Sequence, residues 1–377
     1  AQDTAIGREF VDALESRLAD GDLEIVATGI GNPRAIRQAL DAAGEFNVLA
    51  LQGVIQNDLV FDRYTGDGQA VKVTAPSSKI SVFLTPDNLR NIASQIAVIA
   101  IIAIGMTMVI ITAGIDLSVG SMVALAAVVA TLLIRAMGGA EDAGTGALII
   151  ASLAGIAVCA LAGTFTGWMV VGFCVPPFIA TLAMMQVLRG GAFKLADNQT
   201  VYDVPDSFQW LGTGLCWGIP NCVILMLALY LIAHVVMSKT KLGRHIYATG
   251  GNPEAARLSG VSPKKVKLTV YSIAGALAGI GGIVEASRIK GGAGTMGQGY
   301  ELHVIAAVVV GGTSLFGGKG KIFGTLIGAF IIAVIRNGMN LTKLGSETQM
   351  IVLGGVILIA VLLERIRSGE WRSAVGG

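Results

Sequence analysis

Between Ile92 and Thr112 the chain carries no charged residue, a run of about the ~20 residues that take an α-helix across a bilayer. In lipid every backbone N–H and C=O must be satisfied within its own segment, so such a run folds as a helix. The pattern returns along the chain. Membrane-buried segments are expected at roughly 92–112, 118–137, 146–172, 177–195, 221–238, 266–287, 300–315, 321–340 and 348–366. The seventh, "YELHVIAAVVVGGTSL", is short and ends in glycine, so it reads as re-entrant or spanning. Composition agrees: 53% of residues are hydrophobic and only 14% charged, against about a quarter charged in soluble domains. The expected fold class is an all-α polytopic membrane protein. Its 51 glycines suit close helix approach in lipid. Gly275/Gly279 and Gly324/Gly328 make GxxxG pairs, read as bundle packing rather than dimer motifs. A net charge of +2 gives no reason to expect nucleic acid.

Residues 1–78 differ from the rest. They are richer in acidic than basic residues and hold no run long enough to span. "LEIVA" (Leu23–Ala27) and "FNVLALQ" (Phe46–Gln52) read as strands. Between them "NPRAIRQALDAA" reads as a helix with Asn32 as N-cap and Pro33 at its first position. The expected organisation is a small α/β region over 1–78 and a transmembrane domain over 79–377. The chain begins with Ala1 rather than Met, so an upstream segment is expected.

Orientation follows from lysine and arginine. Lys239 to Lys267 carries seven basic residues and one acid, Glu254, and the C-terminal "ERIRSGEWR" is also basic. Both are assigned to the cytoplasm. Counting crossings from there puts Glu141/Asp142, the 196–219 loop and the acidic N-terminal region outside. It returns Lys319, Lys321 and the C-terminus inside. Cys216 and Cys222 share the outer loop "GLCWGIPNC", where a small disulfide is expected to be feasible. Cys159 and Cys174 read as packing residues.

Several motifs fail. "GIGNPR" begins like a dinucleotide fingerprint but has Arg34 at the third glycine. "TSLFGGKGK" has Thr313 where a phosphate loop needs glycine, and Gly320 where Ser or Thr should follow the lysine. His234, His245 and His303 lack metal-ligand spacing. No catalytic constellation is present, and no metal or cofactor is expected in this chain.

The polar interval holds the most informative stretch, "ATGGNPEAARLSG" (Ala248–Gly260). Asn252 is placed to cap a helix, Pro253 to occupy its first turn, and Glu254 to meet the positive end of its dipole. Gly260 is placed as the left-handed residue that stops it. Ser262 and Pro263 then start the next span. From the residues alone, this short helix is equally a docking element or an ordinary connector. "EAA" followed by Gly260 resembles the EAA–G coupling signature of ABC importer permeases. "GMTMVIITAGIDLSVGSMVAL", "PPFIATLAMMQVLRGG", "TKLGRHIYATGGNPEAARLSGV", "GYELHVIAAVVVGGTSLFGGKGKIFGTLIGAFI" and "TQMIVLGGVILIAVLLE" resemble ribose-type monosaccharide ABC permeases, in order over about residues 82–366.

The resemblance implies a bacterial inner-membrane importer subunit with a homodimeric pore. It implies a separate ATP-binding subunit that carries ATP and Mg, and a periplasmic sugar-binding protein. It also implies that the coupling loop, 239–266, uses Gly251, Asn252, Glu254, Ala255, Ala256 and Gly260. About ten helices per subunit are implied, so one is expected to precede the nine seen here. The ~75 residues before "VFLTPDNL" depart from the family and read as an insertion on the outer side. A secondary transporter or channel for a small polar solute is the alternative; it would need paired ionisable residues inside the membrane.

Asp116 reads either as cap of a helix beginning at Leu117 or as a gate or ATPase-interface residue. Glu301, after the glycine-rich "GGAGTMGQG", is the candidate for the outer mouth of the path. Arg189, Glu285, Arg288 and Glu301 lie near span ends; one or two of them are candidates to face the translocation path, while snorkelling to the interface is the favoured reading for the arginines.

Overall fold

The computed structural model describes residues 38, 48–51, 71–74, 82–342 and 344–368. The chain divides into two compact units, Ala1–Ser81 and Val82–Gly377.

In the first unit, β1 (Val48–Leu51) pairs in parallel with β2 (Val71–Thr74), Val48 opposite Val71 and Leu51 opposite Thr74. β1 lies within the strand expected at Phe46–Gln52. Its partner "VKVT" was not anticipated, although alternating β-branched residues favour a strand. The strand expected at Leu23–Ala27 lies outside the described residues. So does the helix from Asn32, apart from Gln38, which is helical.

The second unit is helical. Its helices are α1 (Pro86–Ile111), α2 (Val119–Ala136), α3 (Thr145–Gly172), α4 (Pro177–Leu195), α5 (Asn221–Lys239), α6 (Lys241–Gly251), α7 (Pro253–Leu258), α8 (Pro263–Ile289), α9 (Tyr300–Val310), α10 (Ile322–Leu341) and α11 (Ser346–Ser368). Each expected membrane segment has a helix at its place. Among the described residues α1, α2, α3, α5, α8 and α10 are long and apolar enough to cross a membrane. With 11 residues, α9 rises about 16 Å, roughly half of a ~30 Å hydrocarbon core.

α1 is the central helix. Thr85 caps it by accepting from the Asn88 N–H, Pro86 fills its first turn, and every residue from Ile96 to Ile111 is buried. A helix apolar all round belongs in such a place. α8 crosses it where Gly105 leaves no room for a Cβ against Ala274. α3 shows how a membrane bundle inverts the usual size rule. Its inward stripe is small, with Ala151, Gly155, Cys159 and Gly163 buried, while Leu153, Leu161, Phe165 and Trp168 point outward. Lipid is as apolar as leucine, so close packing of small residues holds the helices together. Both GxxxG pairs are used in this way inside the chain. A Cβ on Gly275 would strike the Cys159 carbonyl, one on Gly279 would strike Ile156, and Gly324 and Gly328 pack against Gly311 and Ala307 of the α9 end.

Polar side chains join helices across the bundle. Thr107 and Thr325 hydroxyls meet at 2.7 Å, as do Thr164 and Ser272. Asn88 and Asn337 exchange two hydrogen bonds, of 3.0 and 2.9 Å. At the end of the bundle that holds the α8–α9 connection, the 196–220 segment clasps α8. Ser287 accepts from the Gly212 N–H and donates to the Phe208 carbonyl, and Lys290 pairs with Asp206. A small hairpin, β3 (Leu215–Cys216) and β4 (Ile219–Pro220), completes the segment. Cys216 and Cys222, where a small disulfide is feasible by sequence, are both free thiols in this structure. The hairpin pairs Cys216 with Ile219 and leaves it exposed, whereas Cys222 is carried into the first turn of α5 and buried.

Candidate functional site

The polar interval between α5 and α8 forms two helices rather than one. α6 starts at Thr240, whose hydroxyl accepts from the Gly243 N–H, and it was not foreseen in the sequence. α7 follows at once. Asn252 Oδ1 accepts from the Glu254 and Ala255 N–H groups, both at 3.0 Å, and Pro253 is its first residue. At its far end Gly260 adopts φ +84°, with Gly260 N–H on the Arg257 carbonyl and Val261 N–H on the Ala256 carbonyl. That pair of bonds is a Schellman closure, which favours glycine at the left-handed position. Six residues are too few to hold a helix unaided; the two caps hold it.

α6 and α7 differ in what they touch. The Cβ position of Gly250 falls on the Ile111 carbonyl at the end of α1 and on the Gly318 N–H. That same Gly318 N–H donates to the Ile111 carbonyl at 2.9 Å. Tyr247 donates its hydroxyl to the Gly320 carbonyl at 2.8 Å, and burial pushes its pKa up. Thus α6 is keyed into the end of α1 and the 311–320 turn at one point. α7 is open. Gly251, Asn252, Glu254 and Ala255 are exposed, only Ala256 is buried, and Leu258 is 84% exposed. Glu254 pairs with Arg257 at 2.9 Å on that surface. Leu258 was not singled out in the sequence, although a large apolar residue on a helix rich in alanine and charge is the available signal.

The other candidates fall at two separate places. Asp116 is fully buried. Its Oδ1 accepts from the Ser118 N–H at 2.9 Å and the Ser118 hydroxyl at 2.5 Å, while Oδ2 has no partner among the described residues. The helix starts at Val119, not Leu117, so Asp116 braces the residue at the cap position rather than capping the helix itself. Burial raises its carboxyl pKa more than the Ser118 bonds lower it. Glu301 stands in the first turn of α9, with Oε2 buried, without a hydrogen-bond partner among the described residues, and 2.5 Å from where a Cβ would sit on Gly120 of α2. Arg189 does not snorkel. Its guanidinium turns inward and donates to the Gly294 and Met296 carbonyls at 2.7 and 2.5 Å, since those loop carbonyls offer acceptors that lipid does not. Arg288 likewise pairs with Glu285 at 3.0 Å, and Glu285 also accepts from the Tyr300 hydroxyl at 3.2 Å.

A long apolar bundle, with a capped, unpacked helix between two of its spans, has the form of a transport subunit with an external contact. Residues 88–361 match the family described as branched-chain amino acid transport system / permease component. The chain belongs to that permease family. It is a multi-pass membrane permease component. It is similar to the ribose import permease protein RbsC of Escherichia coli (strain K12), 46% identical over 286 residues, 75% of this chain and 87% of the relative. The RbsC of Bacillus subtilis (strain 168) is 42% identical over 289 residues, 76% and 87%. The D-allose transport system permease protein AlsC of Escherichia coli (strain K12) is 37% identical over 286 residues, 76% and 86%. No solved structure matches the chain. The family match begins at residue 88, so the first compact unit lies outside it.

Proposed function

We propose that this permease is the membrane subunit of an ABC importer for a monosaccharide of the ribose type, in the bacterial inner membrane. The observation that carries the ABC assignment is α7: a doubly capped, exposed helix joined to α6, which is keyed into the end of the central helix. Relatives named for ribose and allose support the substrate class. A separate ATPase would bind ATP and Mg and receive α7 in a surface cleft. Closure of that ATPase would press α7, and through Gly250 and Tyr247 the push would reach α1 and the 311–320 turn. A second copy of the chain would complete the pore, and a periplasmic sugar-binding protein would deliver the substrate. In this reading the coupling segment and the C-terminus are cytoplasmic, as their basic residues favour, and residues 1–78 are extracytoplasmic.

The test is co-expression with an ATPase subunit and binding protein, followed by reconstitution in vesicles. Glu254→Lys reverses a charge on the exposed face of α7, so sugar-dependent ATP hydrolysis should be lost while the permease stays folded. Full coupling in that variant contradicts the docking role. Sugar uptake without any ATPase would favour a secondary transporter instead.

A further inference from the structure

Toward the end of the bundle opposite the coupling segment, α1, α9 and α10 leave a shallow open groove. Its lining includes the buried Ile96, Ile99 and Ile332 together with Gln95, His303 and Arg336. Gln95 and Arg336 are exposed and His303 is half-buried. None of the three side chains has a hydrogen bond to another described residue.

Grouped in this way, they differ from the apolar faces that most of α10 presents. Elsewhere on α10 the exposed positions are Phe323, Ile327, Ile331 and Val334, followed by Asn340 and Leu341 at its end. Gln95 lies three residues inside the apolar run that begins at Ile92, about 4.5 Å along the helix axis, near the end of the span away from the coupling segment. Three polar side chains grouped in one groove at that end can meet water or a polar solute together. The first turn of α9 organises the surroundings. Tyr300 reaches Glu285 on α8, Glu301 reaches the start of α2, and His303 enters the groove. Arg336 lies within electrostatic reach of both Tyr300 and His303.

We propose that Gln95, His303 and Arg336 form a subsite that contacts the hydroxyl groups of a neutral monosaccharide in transit, with the isoleucines against its C–H face. The proposal rests on the sugar-import reading above and says where the sugar is touched. An amide offers both donor and acceptor, a guanidinium offers a fork of donors, and neutral imidazole offers one of each. A sugar hydroxyl can answer all of them, whereas an anion would engage Arg336 and leave the amide oxygen of Gln95 without a role. The groove is shallow, as a path must be that releases what it binds.

Two measurements test this on the transporter reconstituted with its ATPase and binding protein. In a Cys174→Ser, Cys216→Ser background, Gln95→Cys should react with a membrane-impermeant thiol reagent, and the transported sugar should slow the reaction. Gln95→Leu and His303→Leu should each lower uptake roughly tenfold, as for one lost hydrogen bond. Thermal midpoint and ATPase stimulation by the loaded binding protein should stay unchanged. If Gln95→Cys is inert, or both leucine variants import at the unmodified rate, the subsite is wrong while the sugar reading stands. If an anionic solute slows labelling and no neutral sugar does, the neutral-sugar assignment is overturned. If the unmodified transporter imports no sugar from a panel, the sugar reading falls and the subsite with it.

Discussion

α6 and α7 are neighbours in the chain and opposites in the structure. α6 spends its glycine on contact: Gly250 lies against the Ile111 carbonyl, and Tyr247 holds the Gly320 carbonyl. α7 spends its special residues on its own ends, Asn252 at one and Gly260 at the other, and leaves its surface bare. One helix is fixed to the bundle, and the other leaves its surface open, as the proposed ATPase contact requires. A connector needs only a chain between two spans; this segment has a capped, open helix joined to one packed against α1.

That contrast can be broken at chosen points. The largest effect is expected at Gly250. A valine there would overlap backbone on two sides, costing roughly 3 kcal/mol by overpacking, seen as a drop in thermal midpoint in detergent. Gly251→Ala is its control, since nothing lies within 4 Å of that Cβ position, and the change in stability should stay within about 0.5 kcal/mol. Next comes Gly260→Ala. It forces a side chain into positive φ at a cost of about 1–2 kcal/mol, paid locally in α7, so uptake should fall while the unfolding midpoint of the bundle holds. Tyr247→Phe removes one hydrogen bond and leaves the Gly320 carbonyl unanswered, about 1 kcal/mol, measurable as a small shift in midpoint. The smallest is Glu254→Gln. It breaks an exposed pair of the kind worth at most ~1 kcal/mol, so the midpoint should barely move.

What the sequence disclosed follows the same division. The membrane segments were legible because freedom from charge over ~20 residues is a property of the run itself. The caps of α7 were legible because Asn-Pro and glycine act within a few residues of where they stand. α6 as an anchored helix was not, because its meaning depends on Ile111 and Gly318, far away in the chain. Arg189 was misread for the same reason: the carbonyls of Gly294 and Met296 that draw it inward belong to a distant loop. The groove residues Gln95, His303 and Arg336 went unnoticed because three separate helices must meet before they form a set. Cys216 and Cys222 are close in sequence, but hairpin geometry sends one outward and one inward.

The central claim is that α7 is the surface on which a separate ATPase acts, and Leu258 tests it most directly. It is 84% exposed, so Leu258→Asp should leave the permease folded with its thermal midpoint intact. An apolar anchor turned into a buried charge should destroy docking, so the ATPase subunit should no longer copurify with the variant and sugar uptake should cease. Copurification in normal yield, with uptake at the unmodified rate, would contradict the account.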